Sequence, residues 1–266
     1  MSHVMKHRWF ELRHNPVFWL TLAVCCAFTL FLVSSSGGGI HYLKDPPTVP
    51  GITYDMKGFF AASTADCIFP LLIISGTFTA MILSQQFSHR TINQEIAVGH
   101  SRGKIFASQC LIGFVVPNLA ALLAIVVGCL RWAGSLPMAS AAVAVPFFLR
   151  ALLLLSLLNF SLFSVCMIFV VAFRDTAKTM LFSACFFLAA IISMSAQEYG
   201  LSRVPGTLYP VAPTVPLLLH PAFLMRYALY STLTLPQGIL IACVAAGWTA
   251  LFLSIAYCVF RRCELK

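Results

Sequence analysis

The sequence predicts an all-α integral membrane protein, and its scarce charges and long apolar runs carry that prediction. Only 9% of the 266 residues are charged and 60% are hydrophobic, whereas a soluble domain carries about 25% charged residues. So few charges cannot cover a water-facing surface, which argues against a soluble enzyme or a nucleic-acid-binding domain. The net charge of +9 does not indicate nucleic acid, because the basic residues lie between apolar runs instead of forming one patch.

Six apolar runs are each long enough to form a transmembrane helix, which needs about 20 residues. They are Val17–Ser36, Phe60–Ser84, Phe106–Leu130, Phe147–Phe173, Thr179–Ala196 and Gly238–Phe260. Because the runs are continuous and do not alternate with polar residues, they argue against a β-barrel. The ten cysteines lie mostly within the runs without a C-x-x-C pair, which indicates small buried side chains. The chain 1–266 is expected to form one membrane domain.

The basic residues predict that both termini lie in the cytoplasm, because cytoplasmic loops carry the excess of Lys and Arg. With this orientation eleven basic residues lie inside, namely Lys6, Arg8, Arg13, Arg90, Arg102, Lys104, Arg174, Lys178, Arg261, Arg262 and Lys266. Five lie outside, namely Lys44, Lys57, Arg131, Arg203 and Arg226. The first run exceeds the apolar core of a signal peptide and no A-x-A site follows it, so it is interpreted as a span.

The N-terminal segment 1–16 predicts a short helix lying in the membrane interface. On a helix one apolar stripe is formed by Met5, Trp9 and Leu12. Arg8 and Arg13 flank this stripe, so their apolar stems are expected to snorkel while their charges stay in water. Asn15-Pro16 ends the helix before the first span. A disordered basic tail is the alternative interpretation.

The cytoplasmic segment 85–105 carries the start and stop signals of a short helix. Thr91 followed by Gln94 is a capping-box pattern, and Gly99 is suited to end the helix in the left-handed conformation. Ser101 is suited to cap the next helix, which becomes the third span. Two capped ends in so few residues favour a rigid docking element over a linker, although an ordinary loop helix remains the alternative.

The predicted extracellular segment 197–237 is rich in proline and contains two apolar pieces, Val211–Leu219 and Ala222–Tyr230. Both pieces are too short to cross a bilayer. They are expected to form a re-entrant or interfacial segment packed on the outer ends of the spans, since such backbone survives at membrane depth only when it is buried in protein or lines a cavity. An outer gate and inert packing are both compatible with this pattern.

The segment 85–105 resembles the membrane subunits of type-2 ATP-binding-cassette (ABC) exporters, especially small bacterial permeases of the bacteriocin-immunity and peptide-export kind. The matching residues are Phe87, Thr91, Ile92, Gly99, Ser101, Arg102, Lys104 and Ile105. The entry to the first span, Leu12–Trp19, resembles the same family. The family usually carries an acidic residue before the aromatic one, whereas this chain has Gln86, so a role that needs this acid is not implied here.

The resemblance implies a pathway built by two permease subunits, as a homodimer or a heterodimer, and driven by a separate cytoplasmic ATPase. The residues that it places against the ATPase are Thr91, Ile92, Glu95, Ile96, Gly99 and Arg102. ATP and magnesium are expected on the partner. This chain is expected to bind no cofactor or metal and to have no catalytic residue, because Gly99–Ile105 is one residue short of a P-loop and lacks its final hydroxyl. The expected location is the cell membrane of a bacterium.

Four of the polar residues within the apolar runs are candidates for the pathway or for helix packing, since such residues are costly in lipid and usually face the bundle interior. They are Asp66, Asn118, Arg150 and Asn159. Hydrogen bonding between helices is the simpler role for the asparagines, and contact with substrate along the pathway is the alternative. Asp66 and Arg150 both lie toward the predicted outer side, where they are expected to form an ion pair.

Three other functions are alternatives to the exporter. A membrane sensor or binding subunit of the same fold, without transport of its own, is favoured mildly by Gln86 and the proline-rich segment. An ion-coupled carrier needs acids at the membrane midplane, and only Asp66 lies in a span. An intramembrane enzyme would need a motif such as H-E-x-x-H or G-x-S-x-G within a span, and none of the six apolar runs contains either. The apolar runs fit an amphipathic peptide or lipid-like substrate.

Overall fold

The computed structural model describes residues 3–35, 56–89, 91–132, 141–202, 220–228 and 235–262, and all regular secondary structure within these ranges is α-helical. The helices are α1 (His3–His14), α2 (Pro16–Ser35), α3 (Met56–Ser88), α4 (Thr91–Ala97), α5 (Arg102–Trp132), α6 (Ala141–Phe173), α7 (Thr176–Ser202), α8 (Pro221–Ala228) and α9 (Leu235–Arg262). The all-α fold class that the composition predicts is therefore confirmed.

Within the described residues three helical segments are long and apolar enough to cross a membrane. They are Arg102–Leu123 in α5, Leu149–Phe173 in α6 and Leu235–Arg262 in α9. Pro16–Leu30 in α2 and Thr176–Ala190 in α7 are shorter apolar helices. The remaining predicted span, Phe60–Ser84, lies entirely within helix α3. The chain is thus a helical protein with membrane-spanning character.

Helix α6 is the centre of the bundle. It packs most extensively against α9 and also contacts α3, α5, α7 and α8. The most apolar stretch of α6 is 72% buried inside the protein, whereas the corresponding stretch of α9 is only 17% buried. Side chains such as Leu158, Leu162 and Met167 are fully enclosed. Helix α9 leaves most of its apolar surface outside the bundle, as a lipid-facing helix does.

The break between α1 and α2 follows directly from Asn15 and Pro16. The Asn15 side-chain oxygen accepts a hydrogen bond from the backbone N–H of Val17 at 2.9 Å, and its carbonyl accepts one from Phe18 at 3.1 Å. Asn15 is therefore the N-cap of α2 and Pro16 its first residue, where a missing N–H costs nothing. The predicted end of the N-terminal helix is confirmed.

Helix α8 lies within the proline-rich segment. Its side chains Ala222, Leu224, Met225 and Ala228 are buried, and it packs on α6, α7 and α9. The preceding His220 ring lies 5.4 Å from the Trp248 ring of α9, and burial lowers the pKa of His220. Packing of the piece Ala222–Tyr230 onto the bundle agrees with the prediction over 222–228, while Val211–Leu219 lies outside the described residues.

Two glycines permit close contacts between helices. A Cβ on Gly113 of α5 would meet the ring of Phe163 of α6, and a Cβ on Gly76 of α3 would meet the ring of Phe187 of α7. Both rings are buried, at 1% and 2% exposure, so neither has room to move away. Small residues at helix crossings bring backbones together in this way.

Replacing Gly113 with Ala is expected to lower the unfolding free energy by about 1–3 kcal/mol, the usual cost of overpacking. Gly247→Ala is the matched control, because no atom lies within 4 Å of a Cβ at that position and alanine favours a helix by about 1 kcal/mol over glycine. Thermal unfolding of both variants in detergent measures the difference. Equal stability of the two variants would contradict the close contact with Phe163.

Candidate functional site: the junction of α1 and α4

Helix α4 is a single short helix with a fixed end. Gly99 has φ 95°, a conformation that glycine adopts at no steric cost. The Gly99 N–H donates to the Ile96 carbonyl at 3.0 Å, and the His100 N–H donates to the Glu95 carbonyl at 3.1 Å. This pair of bonds is a Schellman motif, which satisfies the last carbonyls of the helix. The prediction that Gly99 ends this helix is confirmed.

The other end of α4 differs by one residue from the capping-box prediction. The helix begins at Thr91 itself, so the capping position falls on 90, which lies outside the described residues. After Gly99, the Ser101 carbonyl accepts the N–H groups of Lys104 and Ile105. Ser101 therefore precedes the first turn of α5, in the N-cap position that the sequence predicts.

A buried ion pair joins α4 to α1. Arg8 Nη2 donates to Glu95 Oε2 at 2.6 Å, and Arg8 Nη1 donates to Glu11 Oε2 at 3.1 Å. The Arg8 side chain is 0% exposed and the Glu95 side chain 9%, so water screens their attraction little. Helix α1 otherwise packs on α2 and α5, and α4 packs on α3 and α5. The long Arg8 side chain thus bridges the two short helices.

Helix α1 agrees with the predicted helix but places Arg8 differently. Segment 3–14 is helical, as expected, which excludes the disordered-tail alternative over these residues. Trp9 of the predicted stripe is 44% exposed, in agreement with a side chain at the membrane interface, and Leu12 of the same stripe is buried in the core. Arg8 is not a snorkelling side chain and is enclosed completely. The expectation for Arg8 is wrong because Glu95, far along the chain, offers it a carboxylate that the local pattern does not reveal.

Only some side chains of α4 face outward, because others are buried against the bundle. Ile92 and Glu95 are 1% and 8% exposed, and the partly buried Ile96 packs against the core. The outward side carries Gln94, Ala97 and Val98, all exposed. The contact of α4 with an ATPase stays a prediction, but in this conformation Ile92 and Glu95 serve the protein's own packing.

Arg102 connects the start of α5 with the end of α9. Its Nη1 donates to the Arg261 carbonyl at 2.6 Å, where a cation suits the unsatisfied carbonyls of a helix C-terminus. Aromatic rings gather beside this bond. The ring of Phe260 lies 6.2 Å from that of Phe87 and 5.8 Å from that of Phe106. Because Phe87 belongs to α3 and Phe106 to α5, this end of the bundle is packed as one body.

A cavity of about 430 Å³ lies beside the ion pair and is bordered by α1, the start of α2, the end of α3, the first residue of α4 and Ile112 of α5. We call it the α1/α4 cavity. Its polar border includes Arg8, Glu11, Gln85 and Gln86. Two buried atoms on this border, Arg8 Nε and Gln86 Oε1, have no hydrogen-bond partner within the described part of the chain. The cavity therefore offers one donor and one acceptor to a ligand.

The two predicted asparagines meet between α5 and α6. Asn159 Nδ2 donates to Asn118 Oδ1 at 3.1 Å, and Asn118 Nδ2 donates to the Phe114 carbonyl at 2.8 Å. A longer bond of 3.4 Å joins Asn118 Nδ2 to the Ser156 carbonyl of α6. The hydrogen bond between helices that the sequence predicts is present, and a role in a substrate pathway stays a prediction.

The structure does not test the predicted pair of Asp66 and Arg150. Asp66 lies on α3, in a stretch whose side chains are outside the described residues. Arg150 is half-buried on α6. In the described residues no group of three or more His, Cys, Asp or Glu side chains is placed to hold a metal ion.

No protein-family model and no curated protein matches this chain. The class that the structure itself defines is an all-helical protein with three helices suited to cross a membrane in its described part. Its most distinctive polar feature is the buried junction of α1 and α4.

Truncating Glu95 to Ala is expected to destabilise the fold by about 3–5 kcal/mol, because it leaves Arg8 buried without its closest partner. The double variant Arg8→Met with Glu95→Leu is expected to lie near the wild type, since apolar side chains of similar size remove both charges together. Thermal unfolding in detergent compares the variants. Additive losses in the double variant would show that the two side chains do not act as a pair.

Replacing Asn118 and Asn159 with Leu, singly and together, is expected to give a coupling energy of about 0.6 kcal/mol and at most about 1.7 kcal/mol. The second replacement costs less once the first has removed the shared hydrogen bond. The coupling is obtained from the unfolding free energies of the four proteins. A coupling of zero would contradict the contact between α5 and α6 at this point.

Proposed function

We propose that this chain is the transmembrane subunit of an ABC exporter in a bacterial cell membrane. In this proposal the chain has six spans with both termini in the cytoplasm, and α8 belongs to an extracellular segment. It pairs with a second permease subunit, and a separate cytoplasmic ATPase binds ATP and magnesium. The substrate class that suits its apolar spans is an amphipathic peptide or lipid-like molecule.

The observation that carries the proposal is the construction of α4. A linker between two spans needs only to be flexible and polar, yet α4 has a Schellman end at Gly99 and a buried ion pair to α1. Both features hold the helix in one orientation. An element that transmits a partner's movement must be rigid in this way, because a flexible loop would deform and would not move the helices attached to it.

The outward side of α4 supplies the surface for the partner. Val98 is 77% exposed, and Gln94 and Ala97 are exposed beside it. An apolar side chain of this exposure at the end of a rigid helix suits the groove of a second protein. The exposed Lys104 lies close by in the sequence and adds a positive charge that steers an acidic partner surface.

The proposed mechanism begins with movement of the ATPase against α4. Since α4 packs on α3 and α5 and is paired with α1 through Arg8, displacement of α4 shifts the ends of these helices together. The contact of α5 with α6 at Gly113 and Phe163 carries the shift to the central helix. The helices then alternate between arrangements open to either side of the membrane.

Val98→Asp is expected to weaken association with the ATPase at least about tenfold, because binding would desolvate the new carboxylate. Ala177→Asp is the matched control, since Ala177 is exposed in the first turn of α7, at the same end of the bundle as α4. Both variants are tagged, expressed in the native host and purified in mild detergent. ATP hydrolysis of the purified assembly and the amount of ATPase retained are measured.

The control separates the docking surface from general effects of added charge. Unchanged ATPase retention in Val98→Asp, or an equal loss in Ala177→Asp, would contradict docking through α4. Absence of any co-purifying ATPase with the wild-type chain would contradict the exporter itself. Val98 is preferable to Ile96 for this test, because Ile96 packs against the core and its replacement by Asp would also disturb folding.

A further inference from the structure

We propose that the α1/α4 cavity binds the phosphoethanolamine headgroup of a phospholipid. The inference uses the membrane orientation proposed above and does not depend on the ATPase. It combines the position of the cavity, two buried polar atoms on its border, the balance of charge around Arg8 and its apolar wall.

The position of the cavity is at headgroup depth in that orientation. Three large aromatic side chains near it face outward, namely Trp9, Phe10 and Trp19, with exposures of 44%, 60% and 56%. Aromatic residues of this kind concentrate at the membrane–water interface. They belong to α1 and the first turn of α2, which also border the cavity. A lipid headgroup beside α1 is therefore within reach of the cavity.

The two unsatisfied atoms belong to side chains on the border, and a ligand with both an acceptor and a donor would satisfy them. Arg8 is fully buried and its Nε–H has no acceptor, while Gln86 Oε1 is buried and has no donor, within the described residues. Leaving such buried atoms unpaired is unfavourable, so a ligand that pairs with them is stabilised. A phosphate oxygen suits Arg8 Nε, and an ammonium group suits Gln86 Oε1.

The charges around Arg8 favour a zwitterion over an anion. The single positive charge of Arg8 already faces two carboxylates, those of Glu95 and Glu11. An added anion would therefore meet no net positive charge from this trio. An ammonium group is attracted to the Glu11 carboxylate, which borders the cavity and whose other oxygen contacts His7 Nε2 at 3.2 Å. Ethanolamine also donates N–H bonds, which a quaternary choline cannot do. These two facts select phosphoethanolamine among common headgroups.

The wall of the cavity suits the glycerol end of a lipid. Leu12, Val17, Ile82 and Ile112 all border it and present apolar surface. At about 30 Å³ for each water molecule in the liquid, the volume of about 430 Å³ exceeds what a few ordered waters need. A headgroup with part of its glycerol therefore fills the cavity better than a small ion.

The test compares how different lipids change the Tm of the delipidated protein in dodecyl maltoside. Dioleoyl phosphatidylethanolamine is expected to raise the Tm more than equal amounts of the phosphatidylcholine or phosphatidylglycerol with the same chains. Gln86→Leu is expected to weaken binding of the ethanolamine lipid about tenfold, as loss of one charge-assisted hydrogen bond does. Gln94→Leu is the matched control, because Gln94 is exposed on α4 and outside the cavity lining.

A second variant keeps the test decisive if Gln86→Leu folds poorly. Gln86→Glu supplies a carboxylate to the ammonium group and is expected to strengthen binding of the ethanolamine lipid. Native mass spectrometry counts the lipid retained by each variant. Soluble O-phosphoethanolamine provides the arm that separates a lipid from a free headgroup, and it is expected to stabilise the protein much less than the lipid.

Four results would overturn the proposal. They are equal Tm shifts with ethanolamine and choline lipids, the largest shift with phosphatidylglycerol, a loss in Gln94→Leu as large as that in Gln86→Leu, and stabilisation by free O-phosphoethanolamine equal to that by the lipid. The second result would assign the cavity to anions, and the fourth would assign it to a soluble ligand.

Discussion

The ion pair of Arg8 and Glu95 is the interaction on which one whole end of the bundle depends. Moving a charge into a protein interior costs several kcal/mol, which only a close and hydrogen-bonded partner offsets. The distance of 2.6 Å between Arg8 Nη2 and Glu95 Oε2 meets that condition, and Glu11 adds a second carboxylate. Without Glu95, the Arg8 side chain would have to leave its enclosed position, and α1 would lose its link to α4. The wall of the α1/α4 cavity would be lost with it.

A related constraint governs the long helices, where lipid offers no hydrogen bonds to polar groups. Most buried hydroxyl groups of the described residues donate a hydrogen bond to a backbone carbonyl of their own helix. Thr21, Thr29 and Thr79 each donate to the carbonyl four residues earlier. Such bonds satisfy the hydroxyl group but do not determine which helices pack against each other. Specific pairing therefore comes from shape at Gly113 and Gly76 and from the bond between Asn118 and Asn159. This division explains how a bundle with few charges still has a defined arrangement.

The sequence predicts features that depend on nearby residues and misses those that depend on distant ones. Asn15 and Pro16 end one helix and begin the next through local hydrogen bonds, and Gly99 ends α4 with a positive φ. Both helix boundaries can therefore be predicted from a few neighbouring residues. Arg8 is different, because a helix of known period still has an unknown rotation about its axis. Trp9 and Arg8 lie about 100° apart on α1, and local hydrophobicity favours a Trp9 at the membrane interface and an Arg8 charge in water. The carboxylate of Glu95, 87 residues away in the sequence, holds Arg8 in the interior instead. No periodicity in the sequence predicts this contact.

The two proposals share Arg8, and this has a thermodynamic consequence. A phosphate at Arg8 Nε would polarise the same guanidinium that holds Glu95, so lipid in the α1/α4 cavity would change the strength with which α4 is held. Any ligand that alters the stability of one arrangement of α4 must, by linkage, bind more tightly when that arrangement is favoured by another partner. ATPase docking on the outward side of α4 and lipid binding in the α1/α4 cavity would therefore influence each other equally. The small size of α4 makes this coupling direct, since one turn separates Glu95 from the exposed Val98.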